Sequence, residues 1–152
     1  MTPPIQNLLI KAATDVLKRF AFTFAEETPV EDLPAIDSDC VVASIRFTGP
    51  QNGNLTLVAP SDFCIEVYHS ILGMDTDETT DINPSDALTE LLNIVCGEFL
   101  DLLAGSKPVF QLGIPESHIE DRHAWQSLLT PPAIGLMTDE HPLVISVTLD
   151  PA

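Results

Sequence analysis

The chain has 152 residues, 45% hydrophobic and 19% charged, with 23 Asp+Glu against 6 Lys+Arg and a formal charge of −17. That composition can fill the core of one domain-sized unit, here residues 1–152, and argues against global disorder. It argues equally against nucleic acid or an anionic membrane surface as partner, because phosphates would be repelled and few cations are present to displace counterions.

In chain order, Ile5, Leu8, Leu9, Ala12, Ala13, Val16 and Leu17 recur at helical spacing, with Gln6, Lys11, Asp15 and Lys18 on the polar side, so residues 4–19 predict an amphipathic helix. This N-terminal stretch lacks the basic start, continuous apolar middle and small-residue cleavage site of a signal peptide. No apolar run approaches the ~20 residues of a membrane span, so a cytoplasmic protein is expected. FAFTFA (20–25) alternates Phe20, Phe22 and Phe24 and reads as a strand; the acidic, proline-containing EETPVEDLPAIDSD (26–39) reads as a solvated loop. CVVASIRFTG (40–49), the turn signal PQNG (50–53) and NLTLVAP (54–60) predict a hairpin.

Ser61 can cap a helix that ends at Gly73. An acidic connection, MDTDETTDI, leads to a second helix with Asn83 as N-cap, Pro84 in the first turn, Asp86 at the capping-box position and Gly105 as its stop. PVFQLGIP (108–115) reads as a strand. Residues 116–132 mix Pro, His, acids and the single Trp, with room for a short helix around His123–Leu129. AIGLM (133–137) and HPLVISVTLD (141–150) read as strands, the latter with Leu143, Ile145, Val147 and Leu149 on one face. Hairpins and helices in this order predict an α+β fold, a mainly antiparallel sheet with helices on one face. The order also admits two helix-plus-hairpin halves, starting at Ile5 and Asp86. Cys40, Cys64 and Cys96 are too few and too scattered for a disulfide framework and fit reduced thiols in or near the core.

The helix DALTELLNIVCGEFL (86–100) holds the informative pattern. On a wheel of 100° per residue, Ala87, Leu88, Leu91, Leu92, Ile94, Val95, Phe99, Leu102 and Leu103 share roughly half the circumference. Asp86, Glu90, Asn93, Gly97 and Asp101 fall on a neighbouring sector. Solubility alone would favour Lys, Glu, Gln or Ala there. Asn93 and Gly97 are poor helix formers whose combined cost is on the order of 1–2 kcal/mol relative to alanine, and a functional constraint would account for their retention.

The pattern Asp86-x3-Glu90-x2-Asn93 followed by Gly97 resembles the signature of the CheC/CheX/FliY phosphatases, which also has a downstream proline. Pro115 falls one residue short of that spacing. The order of elements, GNLTLVAP before a helix ending ILG, an acidic connection and then the motif helix, is similar to CheX over about residues 5–115, and the last strand is consistent. Members with two sites carry a motif in each half; IQNLLIKAATDVLKRF has no E-x-x-N, so the chain looks like the single-site, CheX-like type. The resemblance implies a phosphatase that removes the phosphoryl group from the aspartyl phosphate of a chemotaxis response regulator. It implies catalytic residues Glu90 and Asn93, with Glu90 pairing the regulator's active-site Lys. It also implies a homodimer joined through the sheets, for which strand 141–150 is the expected edge.

An aspartyl phosphate is an activated acyl phosphate that needs chiefly a water held in line with phosphorus, with charge compensation from the regulator and its own Mg²⁺. An amide both donates and accepts, so Asn93 can orient that water. Asp86 is a capping residue or, with Gly97, part of the partner-binding rim. No metal or cofactor of the protein's own is expected. His118 and His123 are spaced so that they do not share a helical face, and neither a nucleophile elbow nor a phosphate-cradling glycine loop is present. Glu98 falls inside the apolar arc where the family often has Asn; a buried carboxylate there requires a partner or an opening in the surface. Trp125 is a core plug or an interface anchor. The competing functional reading is a non-catalytic module of the same fold that binds a receiver domain or a flagellar switch component. A small-molecule-binding α+β domain has no motif behind it.

Overall fold

The computed structural model describes residues 4–72, 83–105 and 110–151. Helix α1 (Pro4–Phe20) buries Leu9, Ala12, Ala13, Val16 and Leu17, the stripe its periodicity predicts, and leaves Lys11, Lys18 and Arg19 outside. It ends where the Thr23 amide turns back to donate to the Leu17 carbonyl (3.2 Å), with Phe22 at φ 53°, a left-handed conformation rare for a bulky residue. This cap overturns the strand expected at 20–25. The phenylalanines are not on a pleat, and Phe22 and Phe24 are 76% and 67% exposed. The strand forms immediately afterwards, as β1 (Glu26–Thr28), inside the segment read as a loop.

The expected hairpin is β2 (Cys40–Thr48) and β3 (Gly53–Pro60), paired from Cys40↔Pro60 to Phe47↔Gly53. Helix α2 (Ser61–Leu72) follows directly, and α3 (Pro84–Ala104) carries the motif. The expected helix stop at Gly73, the acidic connection 74–82 and residues 106–109 lie outside the described residues. Next come β4 (Gln111–Leu112), β5 (Glu116–Glu120), a 3-10 helix over Arg122–Leu128, β6 (Ile134–Met137) and β7 (Pro142–Leu149). Of the strand expected at 108–115, the described residues form only Gln111–Leu112, and β5 forms from ESHIE, a polar stretch with no apolar alternation to announce it.

The sheet runs β1-β6-β7-β3-β2, with β4 and β5 both pairing the outer side of β2, and every pairing is antiparallel. Hairpins β2–β3 and β6–β7 meet through β3 and β7, as two helix-plus-hairpin halves would. This order corrects the expectation for the last strand. β7 is interior, hydrogen-bonded to β6 on one side and β3 on the other, so it offers no free edge. The edges are β1 and the β4–β5 side.

Among the described residues, α1, α2 and α3 pack on one face of the sheet. Val41, Ala43, Ile45 and Phe47 of β2 meet Leu88, Leu91, Leu92 and Phe99 of α3 in the main core, where the rings of Phe47 and Phe99 sit edge-on at 6.3 Å. The other face is covered over part of its length by a smaller cluster of Leu33, Cys40, Val42, Val58, Val144 and Trp125. Trp125 is a core plug, 1% exposed, held there by the 3-10 helix. The three cysteines are buried free thiols, as their scatter implied. Among the described residues no helix is long and apolar enough to cross a membrane.

Candidate functional site

The motif is set by how α3 is capped and buried. The Asn83 side chain accepts from the Ser85 amide (3.0 Å), and Pro84 occupies the first turn. At the far end the Gly105 amide donates to the Asp101 carbonyl (2.8 Å) at φ 78°, a conformation glycine adopts freely. Between the caps, Ala87, Leu88, Leu91, Leu92, Val95, Cys96, Phe99 and Leu100 are buried. Each buried Leu contributes about 1.5–3 kcal/mol by its transfer from water. The helix is therefore locked in rotation about its axis by its inner face.

That lock fixes the outer sector. Asp86, Glu90 and Asp101 are exposed, and Asn93 and Gly97 are partly exposed. Among the described residues, neither the Asn93 amide nor the Glu90 carboxylate has a hydrogen-bond or ion-pair partner. A β-carbon added at Gly97 would meet nothing within 4 Å. The four residues picked from the sequence thus share one open face: an amide with free donor and acceptor positions, a carboxylate one turn away, and a bare patch on the following turn. The Asp86 carboxylate makes no capping bond among the described residues. Its backbone amide donates to the Asn83 carbonyl (3.0 Å), and its own carbonyl accepts from the Thr89 hydroxyl (3.0 Å). The side-chain cap of this helix is thus Asn83, and the Asp86 carboxylate is exposed.

Glu98 has the partner its position required. Arg19 of α1 reaches it at 3.5 Å while holding Asp15 at 2.7 Å, and the Glu98 side chain is 33% exposed. The packing of α1 along α3 makes this pair, and nothing local to Glu98 in the sequence announces it.

The histidines of residues 116–132 do not converge. His118 pairs with Glu120 on β5 (3.1 Å) and His123 with Asp121 at the start of the 3-10 helix (2.7 Å). The Asp121 carboxyl is held below its ordinary range mainly by the His123 backbone amide. Among the described residues, the group that could hold a metal ion is Glu66, Glu140 and His141, with ligand atoms within 4.8 Å of one another beside a cavity of about 220 Å³. None of the four motif residues belongs to it. The 3.2 Å contact between His141 Nε2 and Glu66 ties the β6–β7 turn to α2.

The family of chemotaxis phosphatase CheX matches the chain over residues 41–141. Among solved structures the chain is similar to CheX from Vibrio vulnificus (TM-score 0.72, 18% identity, 97% of each chain covered). It is similar to CheX from Desulfovibrio desulfuricans (TM-score 0.69, 20% identity, 97% of this chain and all of that one). It is also similar to the CheX–CheY–BeF3–Mg²⁺ complex of Borrelia burgdorferi (TM-score 0.63, 16% identity, 97% of this chain and 98% of that one). No curated protein matches significantly. At these identities the structures carry the fold, and the family match carries the membership: the chain belongs to the CheX family of chemotaxis phosphatases.

Proposed function

We propose that the protein hydrolyses the aspartyl phosphate of a chemotaxis-type response regulator, with Asn93 orienting the attacking water. The observation that carries this reading is the amide of Asn93, without a partner among the described residues and presented on the outer face of a helix whose inner face is buried. In that state the amide accepts one water proton and donates to a second acceptor, so it can hold a lone pair toward phosphorus without removing a proton itself. The partner's Mg²⁺ and basic residues supply the charge compensation. Glu90, exposed one turn earlier, pairs with the regulator's active-site Lys and fixes the docking register. Gly97 leaves room for the regulator's backbone, and Asp86 lines the rim. A CheX neighbour solved with CheY, BeF3 and Mg²⁺ supports a receiver domain as the partner class.

The homodimer belongs to the same proposal, with its contact moved to the β4–β5 side. Leu112, Ile114 and Ile119 are 39%, 89% and 53% exposed there, and among the described residues β5 has one unpaired side.

The test is to mix the purified protein with a CheY-type receiver phosphorylated in the presence of Mg²⁺ and to follow loss of phosphate. Asn93→Ala is expected to slow hydrolysis by about 100-fold or more, the scale of losing one oriented polar group at a reaction centre, with receiver binding retained. Wild-type turnover in that variant would remove Asn93 from the mechanism. Binding without turnover in the wild type would leave a docking module in place of an enzyme.

A further inference from the structure

The active face just described is acidic, and so is the chain as a whole. Asp86, Glu90 and Asp101 stand on the motif sector, and the net charge is −17. The partner's reaction centre carries its own carboxylates around Mg²⁺ as well as the phosphoryl group. Two such surfaces repel unless cations are placed at the rim.

The fold concentrates its cations next to the motif. Of six Lys and Arg, three (Lys11, Lys18 and Arg19) lie on α1, which packs along α3. Arg19 is consumed internally by Asp15 and Glu98. Lys11 and Lys18 are exposed, and among the described residues neither pairs with a carboxylate. Together with Phe24 and Glu98 they line an open groove of about 350 Å³. The Lys18 ammonium stands 5.8 Å from the centre of the Phe24 ring, which is 67% exposed. Going round α3 from Asn93, Glu90 and Asp101 come at roughly 60–80° and Glu98 at about 140°. The groove therefore flanks the motif on its Glu90 side.

We propose that this α1 groove, through Lys11, Lys18 and Phe24, is the docking rim for an acidic, apolar-tipped face of the phosphorylated receiver, an inference that rests on the phosphatase reading above. Arg19 frees the two lysines for this role by neutralising Asp15 and Glu98, the carboxylates nearest to them in the groove. Phe24 supplies the apolar anchor that gives a charged contact its specificity. A second copy of the chain is the competing occupant; the groove's place beside the motif sector favours the receiver, and the oligomeric state of the lysine variants separates the two.

The experiment compares wild type, Lys11→Glu/Lys18→Glu, Phe24→Ala and Asn93→Ala. Hydrolysis of a phosphorylated CheY-type receiver is measured at low salt and at about 0.5 M salt, alongside binding of the beryllofluoride-loaded receiver. The double reversal is expected to raise KM about tenfold with kcat within about twofold, and the defect shrinks at high salt, as for rim charges. Phe24→Ala is expected to raise KM about fivefold at either salt. Thermal melting checks that the reversal folds; if it does not, Lys11→Gln/Lys18→Gln carries the same test. An unchanged KM in the lysine variants, with the wild type active, overturns the docking rim alone. The same holds if those variants instead dissociate a dimer while KM stays put. A wild type that neither binds nor dephosphorylates the receiver sinks the phosphatase reading, and the rim falls with it.

Discussion

Helices α1 and α3 lie side by side on the same face of one sheet, and their outer surfaces are built on different principles. The polar side of α1 has long charged chains, and its only aspartate, Asp15, is held by Arg19. The polar side of α3 has a short amide, a bare glycine and carboxylates, and its Asn93 and Glu90 are left without partners among the described residues. Both inner faces are buried in the main core. Burial therefore does not mark which outer groups are left for a partner. What differs group by group is satisfaction within the molecule: Arg19 and Asp15 of α1 hold each other, whereas Lys11 and Lys18 of α1 and Glu90 and Asn93 of α3 have no ion-pair or hydrogen-bond partner among the described residues, and an unsatisfied group on a rigid support is pre-organised for an external partner.

If that contrast holds, the two sides of α3 separate in experiment. The largest stability effect is expected on the inner face. Leu91→Ala removes a fully buried side chain from the main core and should cost about 2–5 kcal/mol in denaturant unfolding. Catalytic constants should be unchanged wherever the variant is folded. A variant as stable as wild type would mean that α3 is not anchored as described.

The core under α2 and α3 also sets a pH limit. Burial pushes the thiols of Cys64 and Cys96 up to about 12 from an ordinary 9.0. Between about pH 9 and 12 the unfolded chain ionises these thiols while the folded one keeps them protonated. Their contribution to stability is thus complete below pH 9 and is lost as pH rises toward 12. Urea midpoints should fall across that window, and the fall should be smaller in a Cys96→Ala variant. In native protein at pH 8, both thiols should resist iodoacetamide.

On the outer face the sign reverses. Gly97→Ala should stabilise the protein by about 0.5–1 kcal/mol, because the position is helical and the added methyl meets nothing. The same methyl, and more so the side chain of Gly97→Leu, should weaken receiver binding, with a KM that rises with side-chain size. Stabilisation with unaltered KM would mean the open patch is not used.

The legible and illegible parts of the molecule divide along related lines. α1, α2, α3 and the β2–β3 hairpin were readable because each buries one face and so writes its own period into the sequence. The motif sector was readable because it interrupts that period with residues that helices do not favour. The three phenylalanines at 20–25 imitate a pleat by their alternation, whereas a left-handed Phe22 ends α1 and leaves them exposed. β5 leaves no mark in the sequence because a mostly exposed edge strand needs no apolar alternation. The interior place of β7 was hidden because a strand's pattern reports which face it buries and carries no information on which strands flank it. Glu98 looked like an error in an apolar arc, because its partner, Arg19, belongs to another helix.

That last pair gives the smallest effect and the finest test of the comparison. Arg19 and Glu98 are about half and one third exposed, so water screens their attraction. Arg19→Gln should therefore cost only about 0.2–1 kcal/mol, and a double-mutant cycle with Glu98→Gln should return a coupling within that range. The functional consequence is expected to exceed the stability change. Without Arg19, Asp15 and Glu98 regain free charge beside Lys11 and Lys18, and the groove loses positive potential. KM for the receiver should rise about threefold at low salt and return toward wild type at high salt. Glu98→Gln, which removes a negative charge from the same groove, should shift KM the opposite way. Equal and parallel KM changes in the two variants would mean that the pair acts by holding α1 against α3, and that the charge of the groove is incidental.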